Sequence, residues 1–180
     1  MRYYEYKEGG TSMTQKYALF IIGERNSGKS TLIRSLTGYG RKRLWRVKSL
    51  GGRNLWAFII HQSPQEMGMN KYPPKTFPDS LEQQFNVQRS DYDLLICALE
   101  LIVRSPQFSY QQYINSAQSK GFNVRMAIIS RNWNGNQANQ AEIQNALNFA
   151  QGNSIPFCPV DASNDPNDEA HKIRQQLYPP

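Results

Sequence analysis

The most regular hydrophobic segment of the chain lies near its start. Residues 17–22, Tyr-Ala-Leu-Phe-Ile-Ile, form a continuous apolar run that is long enough for one buried strand. After a polar, glycine-containing stretch, Leu32, Ile33 and Leu36 follow at helical spacing, and Gly38 ends that pattern. The pattern therefore predicts a buried strand, a loop and then a helix over residues 29–37.

The hydrophobic period changes in the next segment. Residues 44–50 alternate between apolar and polar side chains, which is the period of a strand. Residues 51–54, Gly-Gly-Arg-Asn, are typical of a turn, and residues 55–60 form a second apolar run. Two strands joined by a short glycine-rich turn form an antiparallel hairpin, so we predict one here.

Residues 61–92 are mostly polar and contain four prolines. Within them, only residues 80–87 carry a helical pattern, with Asp79 in front as a capping residue. A connection of this length inside a compact domain is typical of a functional or mobile segment.

The last part of the chain alternates strands and helices. Apolar runs predict strands over 93–101, 124–129 and 155–160, and helical patterns cover 108–120, 138–151 and 166–177. We therefore predict a three-layer α/β domain whose six-stranded sheet is parallel except for the strand at 44–50, with helices on both faces. This domain is expected to span residues 16–180, after a flexible leader or added tag at 1–15.

Charge is distributed unevenly along the chain. Of the 21 Lys and Arg residues, 12 lie in residues 1–61, together with only 3 of the 14 Asp and Glu residues. The predicted hairpin and the segment before it carry a basic cluster: Arg41, Lys42, Arg43, Arg46, Lys48 and Arg53. Such a cluster is typical either of a surface for a protein or another anionic partner, or of a solvated basic face.

The sequence contains no apolar run of about 20 residues that would cross a membrane. It also lacks a secretory signal pattern, so we expect a cytoplasmic protein. Cys97 and Cys158 lie in apolar surroundings without a CxxC motif, which favours two buried thiols over a disulfide or a metal site.

The loop between the first strand and the first helix carries the clearest chemistry. Gly23 to Ser30 matches G-x-x-x-x-G-K-S, and it lies between a predicted strand and a predicted helix, as this phosphate-binding motif requires. Glycines let successive backbone N–H groups point inward and hold an anion at the helix N-terminus. Lys29 is placed to contact the β- and γ-phosphates of a nucleoside triphosphate, and the Ser30 hydroxyl is placed to ligate Mg²⁺. The residues expected to hold the nucleotide here are Gly23, Asn26, Ser27, Gly28, Lys29, Ser30 and Thr31.

The longer segment from Gly23 to Gly38, G-x-x-N-S-G-K-S-T-L-I-x-x-L-T-G, resembles the first motif of the Ras-like and Era-like small GTPases of the translation-factor class. An antiparallel second strand is a signature of that class, so the resemblance covers about residues 16–178. It implies binding of GTP or ATP with Mg²⁺ and nucleoside triphosphate hydrolysis.

The family motif at the end of the third strand is altered here. Where relatives carry Asp-x-x-Gly, this chain has His61-Gln62-Ser63-Pro64. The metal-supporting Asp is thereby replaced by an imidazole, and the Gly that reads the γ-phosphate is replaced by a proline without an N–H. Gln65 occupies the position of the glutamine that orients the attacking water in some relatives, although it also fits an ordinary exposed glutamine. We therefore expect slow or partner-dependent hydrolysis, with Lys29 and Gln65 as the catalytic candidates.

The family motif that reads guanine is altered as well. Relatives carry Asn-Lys-x-Asp, and the corresponding positions here are Arg131-Asn132-Trp133-Asn134. The Asn134 amide has one acceptor oxygen, so it does not replace a carboxylate that accepts from two guanine donors. We expect Asn132 and Asn134 to lie near the base, together with Ala162 of the last motif, and discrimination between ATP and GTP within about tenfold.

Two other functions fit the same residues. Glu100 ends an apolar strand, where ATPases and kinases with a phosphate loop carry an acid that assists the metal. Alternatively, the loop is a relict in an adaptor that binds its partner through the basic hairpin. An intact Lys29 and Ser30 argue against the relict, because nothing in folding requires a lysine at position 29.

Overall fold

The computed structural model describes residues 15–38, 43–103 and 105–180. Residues 1–14 of the predicted leader lie outside this range, as do Arg41 and Lys42 of the basic cluster. In the described part of the chain, no helix has the length and the apolar character that crossing a membrane requires.

The chain folds into one six-stranded sheet with helices on both sides, which confirms the predicted α/β class. The strands are β1 (Lys16–Gly23), β2 (Leu44–Lys48), β3 (Asn54–Ile60), β4 (Leu94–Glu100), β5 (Phe122–Arg131) and β6 (Phe157–Asp161). The helices are α1 (Lys29–Thr37), α2 (Pro64–Gly68), α3 (Asp79–Phe85), α4 (Tyr110–Ser119), α5 (Gln140–Gly152) and α6 (Pro166–Leu177).

The strand order is β2-β3-β4-β1-β5-β6. Only β2 runs antiparallel, paired with β3 through the predicted hairpin, and all other neighbours are parallel. The first strand thus lies between β4 and β5, and its side chains are buried on both faces of the sheet. That position explains why residues 17–22 show no alternation of apolar and polar residues.

Two cores fill the spaces on either side of the sheet. On one face, Leu19 and Ile21 of β1 belong to the cluster that includes α1 and α6. On the other face, Phe20 and Ile22 belong to the cluster that includes α3, α4 and α5. Both cysteines are buried and free, as predicted.

The direction of winding reverses at the first strand. The connection after β1 carries α1 on one face toward β2, whereas the connection after β4 carries α4 on the opposite face toward β5. Open α/β sheets bind ligands at the carboxyl ends of the strands where the winding reverses, which are β1 and β4 in this sheet. Gly23 and Glu100 are paired in the parallel register at this end.

The main departure from the predicted elements is in residues 61–92. This segment holds α2 and two 3-10 turns, at Pro74–Thr76 and Arg89–Asp91, in addition to the expected helix, which is observed as α3. Ser63 caps α2 and forms a capping box with Glu66, and Pro64 occupies the first helical position, where a missing N–H costs nothing. The Ser63-x-x-Glu66 pattern was a readable signal for this short helix.

Candidate functional site: a phosphate loop and an adjoining cavity

The phosphate loop has the backbone conformation that its glycines allow. Gly28 adopts a φ of 102°, in the left-handed region, at the residue that precedes α1. Asn26 is also left-handed, with a φ of 58°, and the Ser27 N–H donates to the Glu24 carbonyl at 3.2 Å. At Gly23, an added Cβ would overlap Ser27 Oγ and lie 3.1 Å from Ile129 Cβ, so no larger residue fits without a shift.

Lys29 is buried in this loop with only 5% of its surface exposed. Its ammonium donates to the Gly23 carbonyl at 3.1 Å and to the Glu24 carbonyl at 2.6 Å. Burial lowers the pKa of Lys29, while the carboxylates of Glu66, Glu100 and Glu24 act in the opposite direction. Backbone carbonyl groups of the loop therefore hold the Lys29 ammonium by hydrogen bonds.

Two hydroxyl groups complete the loop. Ser30 Oγ donates to the His61 carbonyl at 3.0 Å, which joins the start of α1 to the end of β3. Ser27 is fully buried, and its Oγ has no hydrogen-bond partner among the described residues. An unsatisfied donor in this loop fits a phosphate oxygen, since buried polar groups are normally hydrogen-bonded.

Glu24 connects the loop to the segment after β5. Its carboxylate accepts from Asn132 Nδ2 at 3.1 Å and from the Asn139 N–H at 2.8 Å. Asn132, predicted near the base, thus supports the loop through Glu24. Sequence reasoning missed the role of Glu24, because a single acid inside the loop carries no signal of its partners.

The acid that ends β4 forms a pair with a second acid. Glu100 is hydrogen-bonded to Glu66, and the Glu66 carboxylate also accepts from the Ser63 N–H at 3.1 Å. Burial and then the charge of Glu66 raise the pKa of Glu100, while Lys29 acts in the opposite direction. Glu100 Oε1 is buried without a hydrogen-bond partner among the described residues. This pair lies close enough to influence the Lys29 ammonium.

Gln65 lies in a different environment from the exposed loop position considered for it. It is 93% buried in α2, donates to the Phe108 carbonyl at 3.3 Å and accepts from the Glu100 N–H at 3.3 Å. Its side chain thereby bridges β4 and the segment that leads into α4. To orient a water at the loop, Gln65 would have to break both contacts.

His61 follows β3 and is half-buried. Neither ring nitrogen has a hydrogen-bond partner in the part of the chain that the structure describes. Burial, followed by the positive charges of Arg43 and Arg34, lowers the pKa of His61. The neutral imidazole is therefore favoured near pH 7.

A cavity of about 300 Å³ adjoins the loop on the side of α1 that faces α6. Its wall includes Gly28, Thr31 and Trp133, and Trp133 is 64% exposed. The lining is completed by Leu32, Ala162, Ser163, Asn164, Pro166 and Glu169. Ala162, predicted near the base, thus lies on this cavity.

Asn134 is not part of the cavity lining. It is exposed, and its Oδ1 accepts from the Asn136 N–H at 3.1 Å within its own turn. The structure therefore separates the two asparagines: Asn132 supports the loop through Glu24, and Asn134 shapes the turn after β5.

The residues of the basic cluster that the structure describes lie along the hairpin. Arg43 donates to the Ile59 carbonyl and lies 4.1 Å from the Phe85 ring centroid, whereas Arg46 lies over Trp56. Arg46, Lys48 and Arg53 are exposed, so basic charge does reach the surface at this edge of the sheet.

The fold and this loop together define an α/β protein with a P-loop-type architecture. Comparison with solved structures finds a de novo designed P-loop-fold protein, determined by solution NMR, with a TM-score of 0.51 and 8% sequence identity. The match covers 91% of this chain and 92% of the designed one. At this identity the likeness shows the fold alone. No protein-family model matches the sequence, and no curated protein matches it.

Proposed function

We propose that this chain binds a nucleoside triphosphate with Mg²⁺ through residues 23–30 and hydrolyses it slowly or only with a partner. The observation that carries the proposal is the burial of the Lys29 ammonium on the carbonyl groups of Gly23 and Glu24. A buried lysine costs free energy in the ligand-free fold, because burial penalises its charged form. An anion bound at the loop would offset that free-energy cost through a charge-assisted hydrogen bond with the Lys29 ammonium.

The phosphate chain fits the donors of the loop. Backbone N–H groups at the start of α1 favour negative charge, and the Ser27 hydroxyl is a donor without a partner in the described structure. Together with Lys29, these groups supply the charge complementarity that a triphosphate needs. A nucleoside attached to it has the adjoining cavity available for its base.

The donor set suits Mg²⁺ only with help from the nucleotide. In the described ranges, no group of three His, Cys, Asp or Glu side chains converges on one point. The oxygen of Ser30 and the phosphate oxygens are ligands of the kind that Mg²⁺ prefers, whereas the imidazole of His61 is not. The ion would neutralise phosphate charge, and Ser30 is the residue that would hold it.

Slow hydrolysis follows from the groups around the loop. Holding the phosphates in the ground state strengthens binding but does not by itself lower the barrier. Pro64 lacks the N–H that relatives point at the γ-phosphate, and the Gln65 side chain is bound to the Phe108 carbonyl and the Glu100 N–H. A partner that supplies an arginine would provide the missing transition-state charge.

The test is a thermal-shift panel of ATP, GTP, CTP and UTP with Mg²⁺. At 100 times its Kd, a bound ligand stabilises the fold by about 2.7 kcal/mol, which is easily detected. Lys29→Ala should fold and lose the shift, whereas Lys75→Ala, which alters an exposed lysine outside this loop, should keep it. If the parent protein shows no shift with any triphosphate, the proposal fails, and binding of a partner to the basic hairpin replaces it.

A second candidate, an ATP-dependent kinase or ATPase, is favoured by the position of Glu100. This acid ends β4 in register with Gly23, and one of its oxygens is buried without a partner in the described structure. An acid that assists Mg²⁺ here would make Glu100→Gln weaken nucleotide binding in the presence of Mg²⁺ but not in EDTA. An acid without that role would, when neutralised, leave binding equal or stronger, because a negative charge near the phosphates is removed.

A further inference from the structure

One face of the β2–β3 hairpin combines basic side chains with an aromatic ring. In the antiparallel register, Arg46 lies opposite Trp56 and Lys48 lies opposite Asn54. Residues opposite one another in a ladder, and residues two apart along a strand, point to the same face of a sheet. These four side chains therefore share one face, and the Cα atoms of Arg46 and Lys48 are about 7 Å apart along the strand.

The aromatic ring positions the arginine on this face. The guanidinium carbon of Arg46 lies over the Trp56 ring, 5.0 Å from its centroid. Trp56 is only partly exposed and packs against the core on this side of the sheet. The fixed ring therefore restricts a side chain that would otherwise move freely in water. A planar cation held in this way, with its outer side exposed, is a surface on which a nucleobase stacks.

The positive charge of this face is not paired within the part of the chain that the structure describes. Residues 25–65 contain nine Lys and Arg residues and no Asp or Glu. The exposed side chains of Arg46 and Lys48 form no ion pair and no hydrogen bond with other described residues. Arg89, by contrast, is paired with Glu82. The hairpin therefore presents charge that an anionic partner can neutralise.

Asp93 is an acid in contact with the neighbouring strand. Its Oδ2 accepts from the Trp56 N–H at 3.0 Å, and its Oδ1 lies 4.0 Å from the Lys16 ammonium. The charge of Asp93 is thus offset by these two groups and not by Arg46.

Two simpler roles do not account for this surface. Because β2 is an edge strand, its basic residues discourage pairing with another chain, but that role requires charge alone and not an arginine over a tryptophan ring. Attachment to an anionic membrane would be favoured by a cluster of exposed apolar side chains. The hairpin turn offers Leu50, and one exposed leucine is ordinary for a protein surface.

We infer that this face of the hairpin binds single-stranded nucleic acid, with a base stacked on Arg46 and backbone phosphates at Lys48 and the exposed Arg53. A single strand has bases available for stacking beside its phosphates, so it offers both groups that the surface complements. A duplex keeps its bases stacked on one another and offers only phosphates here. The inference is independent of the proposed triphosphate binding at residues 23–30.

The experiment is fluorescence anisotropy with labelled oligothymidylate, oligouridylate and a DNA duplex, each about 20 nucleotides long, which exceeds one binding site. The full chain is compared with three variants. Arg46→Lys keeps the charge and removes the planar group. Lys48→Gln removes one charge from the same face, and Lys75→Gln makes that change at an exposed lysine outside the hairpin. Trp56 is left intact because it packs against the core.

The parent should bind both single strands with a Kd of about 1–100 μM, several-fold tighter than the duplex. Raising the salt from about 50 to about 200 mM should weaken single-strand binding about sevenfold, as two phosphate contacts predict. Arg46→Lys should weaken it about fivefold or more, the low end for one stacked base, without changing the salt slope. Lys48→Gln should reduce the slope by about 0.7, and Lys75→Gln should behave like the parent.

Equal affinity for the duplex and the single strands would overturn the inference, and so would parent-like binding by Arg46→Lys, since charge alone then explains the affinity. Single-strand binding that neither hairpin variant changes would show that the strand binds elsewhere. Vesicles of phosphatidylcholine and phosphatidylserine are the last probe. Binding to these vesicles but not to oligonucleotides would assign the face to a membrane, and no binding to any probe would leave it without this role. None of these outcomes decides whether the phosphate loop binds triphosphates.

Discussion

At the scale of single residues, the loop and its surroundings place one buried ammonium group close to several carboxylates. One lysine is buried against carbonyl groups, and two glutamates share a hydrogen bond within its electrostatic reach. Two neighbouring carboxyl groups do not both ionise freely, because like charges at close range repel each other. The protonation of Glu100 is therefore tied to the stability of the fold and to the charge that the loop presents.

The Glu66–Glu100 pair makes stability depend on pH in a defined direction. Because the pKa of Glu100 is raised in the folded state, the group contributes stability below the ordinary glutamate pKa and loses that contribution as the pH rises through the raised value. Glu100→Gln, which resembles the protonated form, should therefore raise the Tm relative to the parent at pH 8 and leave it nearly unchanged at pH 4. Thermal unfolding across this pH range measures the difference.

Glu66→Gln serves as the partner variant. It removes the charge that raises the pKa of Glu100 and keeps an acceptor for the Ser63 N–H. The Tm difference between pH 4 and pH 8 should shrink in this variant too. An unchanged pH profile in both variants would mean that the two acids do not interact in solution.

At the scale of elements, a helix or strand pairing could be predicted from the sequence when the residues that specify it lie close together in the chain. The helix at residues 29–37 and the hairpin were predictable because spacing, Gly38 and the turn residues specify them locally. The placement of β4 between β3 and β1 was not, because no local pattern states which strands become neighbours.

The residues of the candidate site also fall into two groups, those predictable from a local motif and those that depend on partners distant in sequence. The loop from Gly23 to Ser30 was predictable as a motif, since its chemistry depends on residues next to one another in the sequence. Glu24 and Glu66 gain their roles from partners on other elements, and each of them appears in the sequence as an ordinary acid. Their contacts become visible only with the folded chain.

The short helix α2 should depend on its N-cap. Ser63 is fully buried and its Oγ accepts from the Glu66 N–H at 3.2 Å. Ser63→Ala should cost about 0.5–2 kcal/mol of the free energy of unfolding, because the side-chain acceptor for the Glu66 N–H is lost while the backbone N–H that donates to the Glu66 carboxylate remains. Urea unfolding measures this change.

Ser109→Ala is the matched control for that prediction. Ser109 occupies the equivalent position before α4 but makes no side-chain capping bond. Its removal should leave the unfolding free energy nearly unchanged. Equal losses in the two variants would show that the capping box of α2 contributes nothing specific.

At the scale of the whole molecule, the site lies where the two directions of winding meet, and its components come from many parts of the chain. The loop follows β1, the acids belong to α2 and β4, and the cavity is closed by α6. Such a site would contact a ligand from several sides, and it includes His61 and Pro64 at the positions where the small GTPases that the sequence resembles carry Asp and Gly.

We therefore expect phosphate release by the purified protein to be well below the ~1 s⁻¹ at the low end of typical enzyme turnover. Steady-state phosphate release from GTP and ATP measures it, with His61→Asp and Gln65→Ala beside the parent. His61→Asp should raise the rate if a carboxylate at this position supports the metal. Turnover at ordinary enzyme rates by the parent alone would contradict this expectation, and an unchanged rate in Gln65→Ala would remove Gln65 from the mechanism.

The central place of β1 in the sheet also has a consequence for folding kinetics. The strands β2 and β3 are joined by a short turn and pair locally, whereas Leu19 of β1 pairs with Ile96 of β4, which is distant in sequence. Closing so long a loop costs entropy before the contacts that reward it are made, so β1 is expected to enter the sheet late. The phosphate loop takes its shape from the end of β1 and is therefore completed only when nearly the whole chain is in place. A ligand that binds this loop would act on the last steps of folding, by slowing the escape of β1 from the sheet.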